Sequence, residues 1–164
     1  MNIALLVIDM QKEFFAGNSR QSMENAAGYI NHAADLFRKN GKKIIWIQDE
    51  NDDGSRRETP GFEIIDLLKP GDNEKRIFKR YDNGFNKTEL PAYLSKEGID
   101  TIVISGFCAE YCVLSTYKGA LDLDLTPVIL RNAIAGGINE NVRFVESICE
   151  LISIGALEKL IFGS

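Results

Sequence analysis

The apolar positions of this chain alternate between two patterns. Residues 2–9, NIALLVID, form a nearly continuous apolar run ending in a carboxylate, as in a strand buried on both faces of a parallel sheet. Over residues 23–40 the pattern becomes Met23, Ala26, Ala27, Ile30, Ala33, Ala34 and Phe37, the spacing of one helix face, with Ser22 as N-cap and Gly41 as stop. The alternation then repeats. KKIIWIQ (42–48), KRIFK (75–79), DTIVISGF (100–107) and TPVILR (126–131) predict further strands, and LEKLIFG (157–163) a sixth. Helices are predicted over FEIIDLL (62–68), ended by Pro70-Gly71, over TELPAYLSKEG (88–98), over residues 110–123, and from an Asn139 cap to about Ile154. NDDGSRRETPG (51–61) and RYDNGFNK (80–87) are polar loops.

Strands alternating with helices imply parallel pairing through right-handed crossovers. The expected fold is α/β: a three-layer α/β/α sandwich over residues 1–164 as one domain. Its six-stranded, mainly parallel sheet has the Rossmann-like order 3-2-1-4-5-6. At 164 residues the chain is long enough to bury a full core. In such a sheet, ligands sit beyond the carboxyl ends of the strands, where strand order reverses.

Composition narrows the function classes. A net charge of −5 argues against a nucleic-acid or anionic-membrane partner. The N-terminal apolar run lacks a preceding Lys or Arg and meets Asp9 too early for a signal peptide. No apolar run approaches the roughly 18 residues of a membrane span, so a cytoplasmic location is expected. Three cysteines, Cys108, Cys112 and Cys149, do not suggest a disulfide framework. The single histidine, His32, lies within the first helical pattern and no CxxC pair exists, which disfavours zinc. Cys149 is expected on the apolar face of the last helix, in the core.

Three reactive side chains fall where strands end. Asp9 closes the first strand, Lys79 the third, and Cys112 opens the helix after the fourth. Cys108 and Cys112 are open to several readings: small core hydrophobes, a disulfide, metal ligands, or a nucleophile. If the three strand ends gather at one crevice, the chemistry of Asp, Lys and Cys is coherent. A helix N-terminus and a nearby ammonium each favour the thiolate, whose parent thiol has a pKa near 8.5. A carboxylate in reach can take the thiol proton and return it to a leaving amine. Backbone N–H groups in a tight strand-to-helix turn, made flexible by Gly106, can hold an oxyanion.

The same residues arrive in longer strings. LLVIDMQKEFF (5–15) resembles the DxQxxF opening of the isochorismatase-like cysteine hydrolases. FKRYDNGFNKTEL (78–90) resembles their lysine segment, and residues 98–135, containing SGFCAEYCV, their strand, turn and nucleophile. By that resemblance Asp9 is the general base, Lys79 the triad lysine and Cys112 the nucleophile. A cis peptide falls at Phe107–Cys108, and the backbone N–H groups of Cys108 and Cys112 form the oxyanion hole. The implied reaction is cleavage of an amide-like C–N bond of a small molecule through a thioester. No cofactor is implied, and a homo-oligomer, dimer or tetramer, is. Phe14, Phe15, Tyr81, Phe85 and Tyr111 are candidate pocket walls.

Two departures stand out. Nicotinamidase-type members carry Asp-x-His and a further His after the second strand, whereas here Asp49 is followed by no histidine in IQDENDDGSRRETPGF. A metal-independent reaction is therefore expected. The turn reads Ala109-Glu110 where Thr-Asn or Thr-Asp is commoner, and Glu110 would repel an anionic substrate or bind an amine. True isochorismatases lack the nucleophilic cysteine, so Cys112 disfavours vinyl-ether chemistry. Two other readings stand beside the amidase: a non-catalytic small-molecule-binding protein on the same fold, and a redox sensor using Cys108 and Cys112.

Overall fold

The computed structural model describes residues 2–163. In chain order the elements are β1 (Ile3–Ile8), α1 (Ser19–Lys39), β2 (Lys43–Asp49), β3 (Lys75–Lys79), α2 (Leu90–Lys96), β4 (Thr101–Phe107), α3 (Leu114–Asp122), β5 (Thr126–Ala135), α4 (Asn139–Ile148), β6 (Leu151–Ile152) and α5 (Ile154–Phe162). The six strands form one sheet in the order β3-β2-β1-β4-β5-β6, every neighbouring pair parallel. The expected architecture and strand order are those observed.

β1 shows why the chain builds three layers. All six of its residues are buried. Because successive side chains point to opposite faces, Ile3, Leu5 and Val7 pack with α1 and α5 on one side. Ala4, Leu6 and Ile8 pack with α2, α3 and Val145 of α4 on the other. Burying an aliphatic side chain on each face stabilises the sheet by roughly 1.5–3 kcal/mol apiece.

Four local expectations are corrected. FEIIDLL is not a helix: only Pro60–Phe62 makes a single 3₁₀ turn. The residues beyond spend their backbone groups on the chain after β1, with Ile65 N–H donating to Met10 O and Lys12 N–H donating to Glu63 O. LEKLIFG is not a strand. It lies in α5, where Ile154, Leu157 and Ile161 recur at helical spacing and Ser153 Oγ caps the helix by accepting from Ala156 N–H. The sixth strand is instead the two-residue Leu151–Ile152, so α4 stops at Ile148. Cys149 is thus a half-buried residue between α4 and β6 rather than a core residue on a helix face.

Gly106 marks the bend from sheet to site. It sits at φ +112°, and a Cβ there would collide with the backbone of Ile8 on the paired strand. Gly106→Ala is therefore expected to destabilise the fold by about 2 kcal/mol. A urea denaturation midpoint equal to that of the parent would show that the backbone relaxes around a methyl group.

Candidate active site

The carboxyl ends of β1, β2, β3 and β4 lie side by side, and each delivers one polar group. β1 runs into Asp9, which adopts φ 49° while its N–H donates to Ile47 O at 2.9 Å. That bond anchors the chain as it leaves the sheet and holds the carboxylate inside, 1 % exposed. β2 ends at Asp49 and β3 at Lys79, which are register partners across the two strands. β4 leads through a cis Phe107–Cys108 bond into a wide π-type turn, Ala109–Val113, in which Val113 N–H donates to Cys108 O at 3.1 Å. That turn carries Cys112 at the head of α3.

The Lys79 ammonium joins these groups. Its side chain is fully buried, and Nζ lies 2.9 Å from Asp9 Oδ2, 3.2 Å from Asp49 Oδ1 and 3.3 Å from Cys112 Sγ. An ammonium has three protons to donate, and here each has an acceptor. Asp9 Oδ1, by contrast, has no hydrogen-bond partner among the described residues. Cys112 Sγ also lies 3.7 Å from Asp82 Oδ1, on the loop after β3.

The charges set the protonation states. Burial pushes the Asp9 carboxyl up to about 6, against the pull of Lys79. For Lys79, burial works against the ammonium but is outweighed by Asp9 first and by Cys112 and Asp49 after it, so its pKa stands above the ordinary lysine range. The Cys112 thiol is pushed upward, by burial and then by the Asp9 charge, more than Lys79 draws it down. The pull of the ammonium toward the thiolate, expected from the sequence, is thus outweighed. Two carboxylates and one ammonium already leave the cluster net negative, and a thiolate would add a second uncompensated charge in a largely buried site. These directions favour, at neutral pH, a resting cluster of two carboxylates, an ammonium and a thiol.

Asp49 and Gln11 are the parts that motif reading left without a role here. Gln11, fully buried, clamps the end of β2: Oε1 accepts from Asp49 N–H at 2.7 Å and Nε2 donates to Asp49 O at 2.9 Å. Nε2 also reaches Ser55 Oγ at 2.7 Å. The DxQ string contained the signal for Gln11. Only the pairing of β2 with β3 shows that Asp49 meets Lys79.

The predicted pocket walls scatter. Tyr81 and Tyr111 are largely exposed, while Phe85 is buried in the core beneath α2 and α3. Phe14 stacks on Phe107 with ring centroids 5.2 Å apart, next to the turn that carries Cys108. Phe15 lies under the Arg20 guanidinium, packed with the α1 side of the core. A groove of about 720 Å³ runs between α1 and α4, past Asn132 and Ile134, and its lining includes none of Asp9, Lys79 and Cys112.

Glu110 turns toward the protein. Its Oε2 accepts from the Cys108 thiol at 3.2 Å and its Oε1 from Asn141 Nδ2 at 3.0 Å. Partial burial favours the acid form of Glu110, but Asn141 and the other donors outweigh it and lower its pKa. Burial, reinforced by Glu110, pushes the Cys108 thiol up to about 12, which speaks against a reactive sensor thiol there. His32 pairs with Glu158 across α1 and α5 at 2.6 Å, on the surface. Among the described residues no group of three or more His, Cys, Asp or Glu side chains is gathered so as to hold a metal ion, and no helix is long and apolar enough to cross a membrane.

Comparison with known proteins gives a consistent result. The model of the isochorismatase domain matches residues 3–145. Streptothricin hydrolase from Streptomyces noursei is 31% identical over 135 residues, which cover 79% of this chain and 48% of that protein. Among solved structures, an isochorismatase-like hydrolase from Alkaliphilus metalliredigens superposes with a TM-score of 0.88 at 25% identity, covering 98% of this chain and 99% of that one. N-carbamoylsarcosine amidase from Thermoplasma acidophilum gives a TM-score of 0.80 at 25% identity, covering 93% and 95%.

Proposed function

The chain belongs to the isochorismatase family, and from that premise we propose that it is a cysteine-dependent hydrolase that cleaves an amide-like C–N bond of a small molecule. One observation carries the reading: a single buried ammonium touches a buried carboxylate, Asp9, and a thiol, Cys112, at the same moment. The names of streptothricin hydrolase and N-carbamoylsarcosine amidase support the bond type.

The chemistry follows from the protonation states. Cys112 is a thiol at rest, so deprotonation accompanies attack. Asp9, with its proton affinity raised by burial, takes the Sγ proton as sulfur adds to the substrate carbonyl. The oxyanion that forms is received by the backbone N–H groups of Cys108 and Cys112 at the turn. On collapse the C–N bond breaks, and protonated Asp9 gives its proton to the leaving nitrogen. Water then adds to the thioester, Asp9 again takes a proton, and the acid departs as the thiol is restored. Lys79 stays an ammonium throughout and balances the carboxylate or the nascent thiolate, whichever holds the negative charge.

The reading is metal-independent. Carbonyl activation falls to the backbone donors, and the stretch after Asp49, residues 50–61, contains no histidine to share a metal with it.

The test uses the intact chain in two arms. In the first, iodoacetamide at pH 7 followed by mass spectrometry of the cysteine peptides is expected to label Cys112 ahead of Cys108 and Cys149. In the second, a panel of amides, ureides and N-carbamoyl compounds is expected to give turnover for at least one member, lost in Cys112→Ala. Equal, slow labelling of all three thiols would overturn the reading. Preferential labelling with tight ligand binding and no turnover would favour the silent binding protein.

A further inference from the structure

We propose that Asp49 is a positioning residue for this reaction: as a second carboxylate on the Lys79 ammonium, it keeps Nζ against Cys112 and leaves Asp9 free to act as the base. The inference rests on the reading of the site as a cysteine hydrolase. It assigns Asp49 no contact with substrate.

The geometry is that of a braced carboxylate. Asp49 Oδ1 meets Nζ at 3.2 Å, and Oδ2 accepts from Asn51 Nδ2 at 2.9 Å. The backbone of Asp49 is fixed twice by Gln11, and its carbonyl also accepts from Ser55 Oγ at 2.9 Å. A residue whose side chain is held at two points and whose backbone is held at three more is not a chance surface partner for Lys79.

The electrostatic consequence is specific. With Asp9 as its sole carboxylate, the ammonium would bind it as a closed pair and hold its proton affinity down. A general base so committed is a poor acceptor for a thiol proton. A second carboxylate on the same ammonium divides the attraction and adds one negative charge beside Asp9. The charge of Asp49 accordingly acts to raise the proton affinity of Asp9 as well as that of Lys79. The other titratable groups facing the cluster are Lys79 from β3, Cys112 from the turn before α3, and Asp82 from the loop after β3; Glu110 faces Cys108 instead.

The experiment needs no known substrate. The rate of iodoacetamide alkylation at Cys112 is followed from pH 4.5 to 9 by mass spectrometry in the full chain. In the parent, alkylation requires the proton to leave the Asp9–Cys112 pair, so its acid limb reports the ionisation of that pair. In Asp49→Asn the limb is expected to move to lower pH by about half a unit or more, whereas Asp49→Glu, which restores the charge, is expected to return it toward the parent. Should Asp49→Asn fail to fold by circular dichroism, Asp49→Ser removes the same charge and carries the same expectation. An acid limb at the parental position in a folded variant without this carboxylate overturns the inference and leaves the hydrolase reading standing. A parent whose Cys112 shows no limb dependent on Asp9 overturns both.

Discussion

Asp9→Asn is expected to lower turnover of any amide substrate by about 10³-fold and to erase the acid limb of the rate profile near pH 6. The asparagine occupies the same space, so Lys79 still reaches Asp49 and the fold survives. What disappears is the buried carboxylate to which the reading assigns the proton of the thiol. In the parent, kcat/KM is expected to rise through about pH 6 as Asp9 ionises, because its folded pKa is raised to about that value. The acid limb thus lies about two units above the range of an exposed aspartate. A raised carboxyl pKa has the opposite sign for stability. Its contribution is full below the unfolded pKa near 4 and is lost as pH rises to about 6. Stability and activity should therefore move in opposite directions over that window, and Asp9→Asn should remove both dependences. Parallel kcat/KM and denaturation series from pH 4 to 7 check this. A variant retaining a tenth or more of parental turnover would remove Asp9 from the chemistry.

The sequence shows most clearly those elements that packing alone decides. β1 and β4 are buried on both faces, so their composition has no surface requirement to satisfy and reads as an apolar run. α1 is the counterpart: one buried stripe from Met23 to Phe37 in a long polar helix. The errors fall where short apolar strings are ambiguous. FEIIDLL carries enough aliphatic residues for a helix, yet its backbone is taken by the segment after β1, a long-range pairing that no local pattern encodes. In LEKLIFG the adjacency of Leu160, Ile161 and Phe162 imitates a strand. The helix is instead set by Ser153 and by Ile154, Leu157 and Ile161, which read together only when the window begins earlier.

The candidate site divides in the same way. Asp9, Lys79 and Cys112 stand at element ends, and an alternating α/β chain brings such ends to one edge of the sheet. Their convergence is legible in the order of the elements along the chain. The role of Asp49 is not, because it depends on β3 lying beside β2 with Lys79 in register. Nor is the resting state of the thiol. An ammonium neighbour alone argues for a thiolate; the reversed sign comes first from the burial of the sulfur and then from the charge of Asp9 beside it, both of which are three-dimensional facts. The aromatic residues near the motifs were equally opaque, since Phe85 and Tyr81 lie four residues apart on one loop with opposite exposures.

Lys79→Met should be the most destabilising single change in the site. Methionine matches the lysine stem in shape, so the loss is almost purely that of the charge. Asp9 Oδ2 and Asp49 Oδ1, 2.9 and 3.2 Å from Nζ in the parent, are left facing one another with no cation. Removing one partner of a buried ion pair costs about 3–5 kcal/mol, which for a domain of this size lowers Tm by roughly 6–20 °C. The pH dependence identifies the cause. Without the ammonium, the Asp9 pKa rises further above its unfolded value, so the deficit is largest at neutral pH and shrinks on acidification as the carboxyl takes up its proton. The double variant Lys79→Met/Asp9→Asn should then be more stable at pH 7 than Lys79→Met alone, a strongly non-additive cycle of a kind that a void or a packing fault does not produce. Thermal melts of the parent, both single variants and the double variant at pH 5 and pH 7 decide the matter. A Lys79→Met protein as stable as the parent at both values would mean that the ammonium does not compensate these carboxylates, and the electrostatic basis of the site would fall with it.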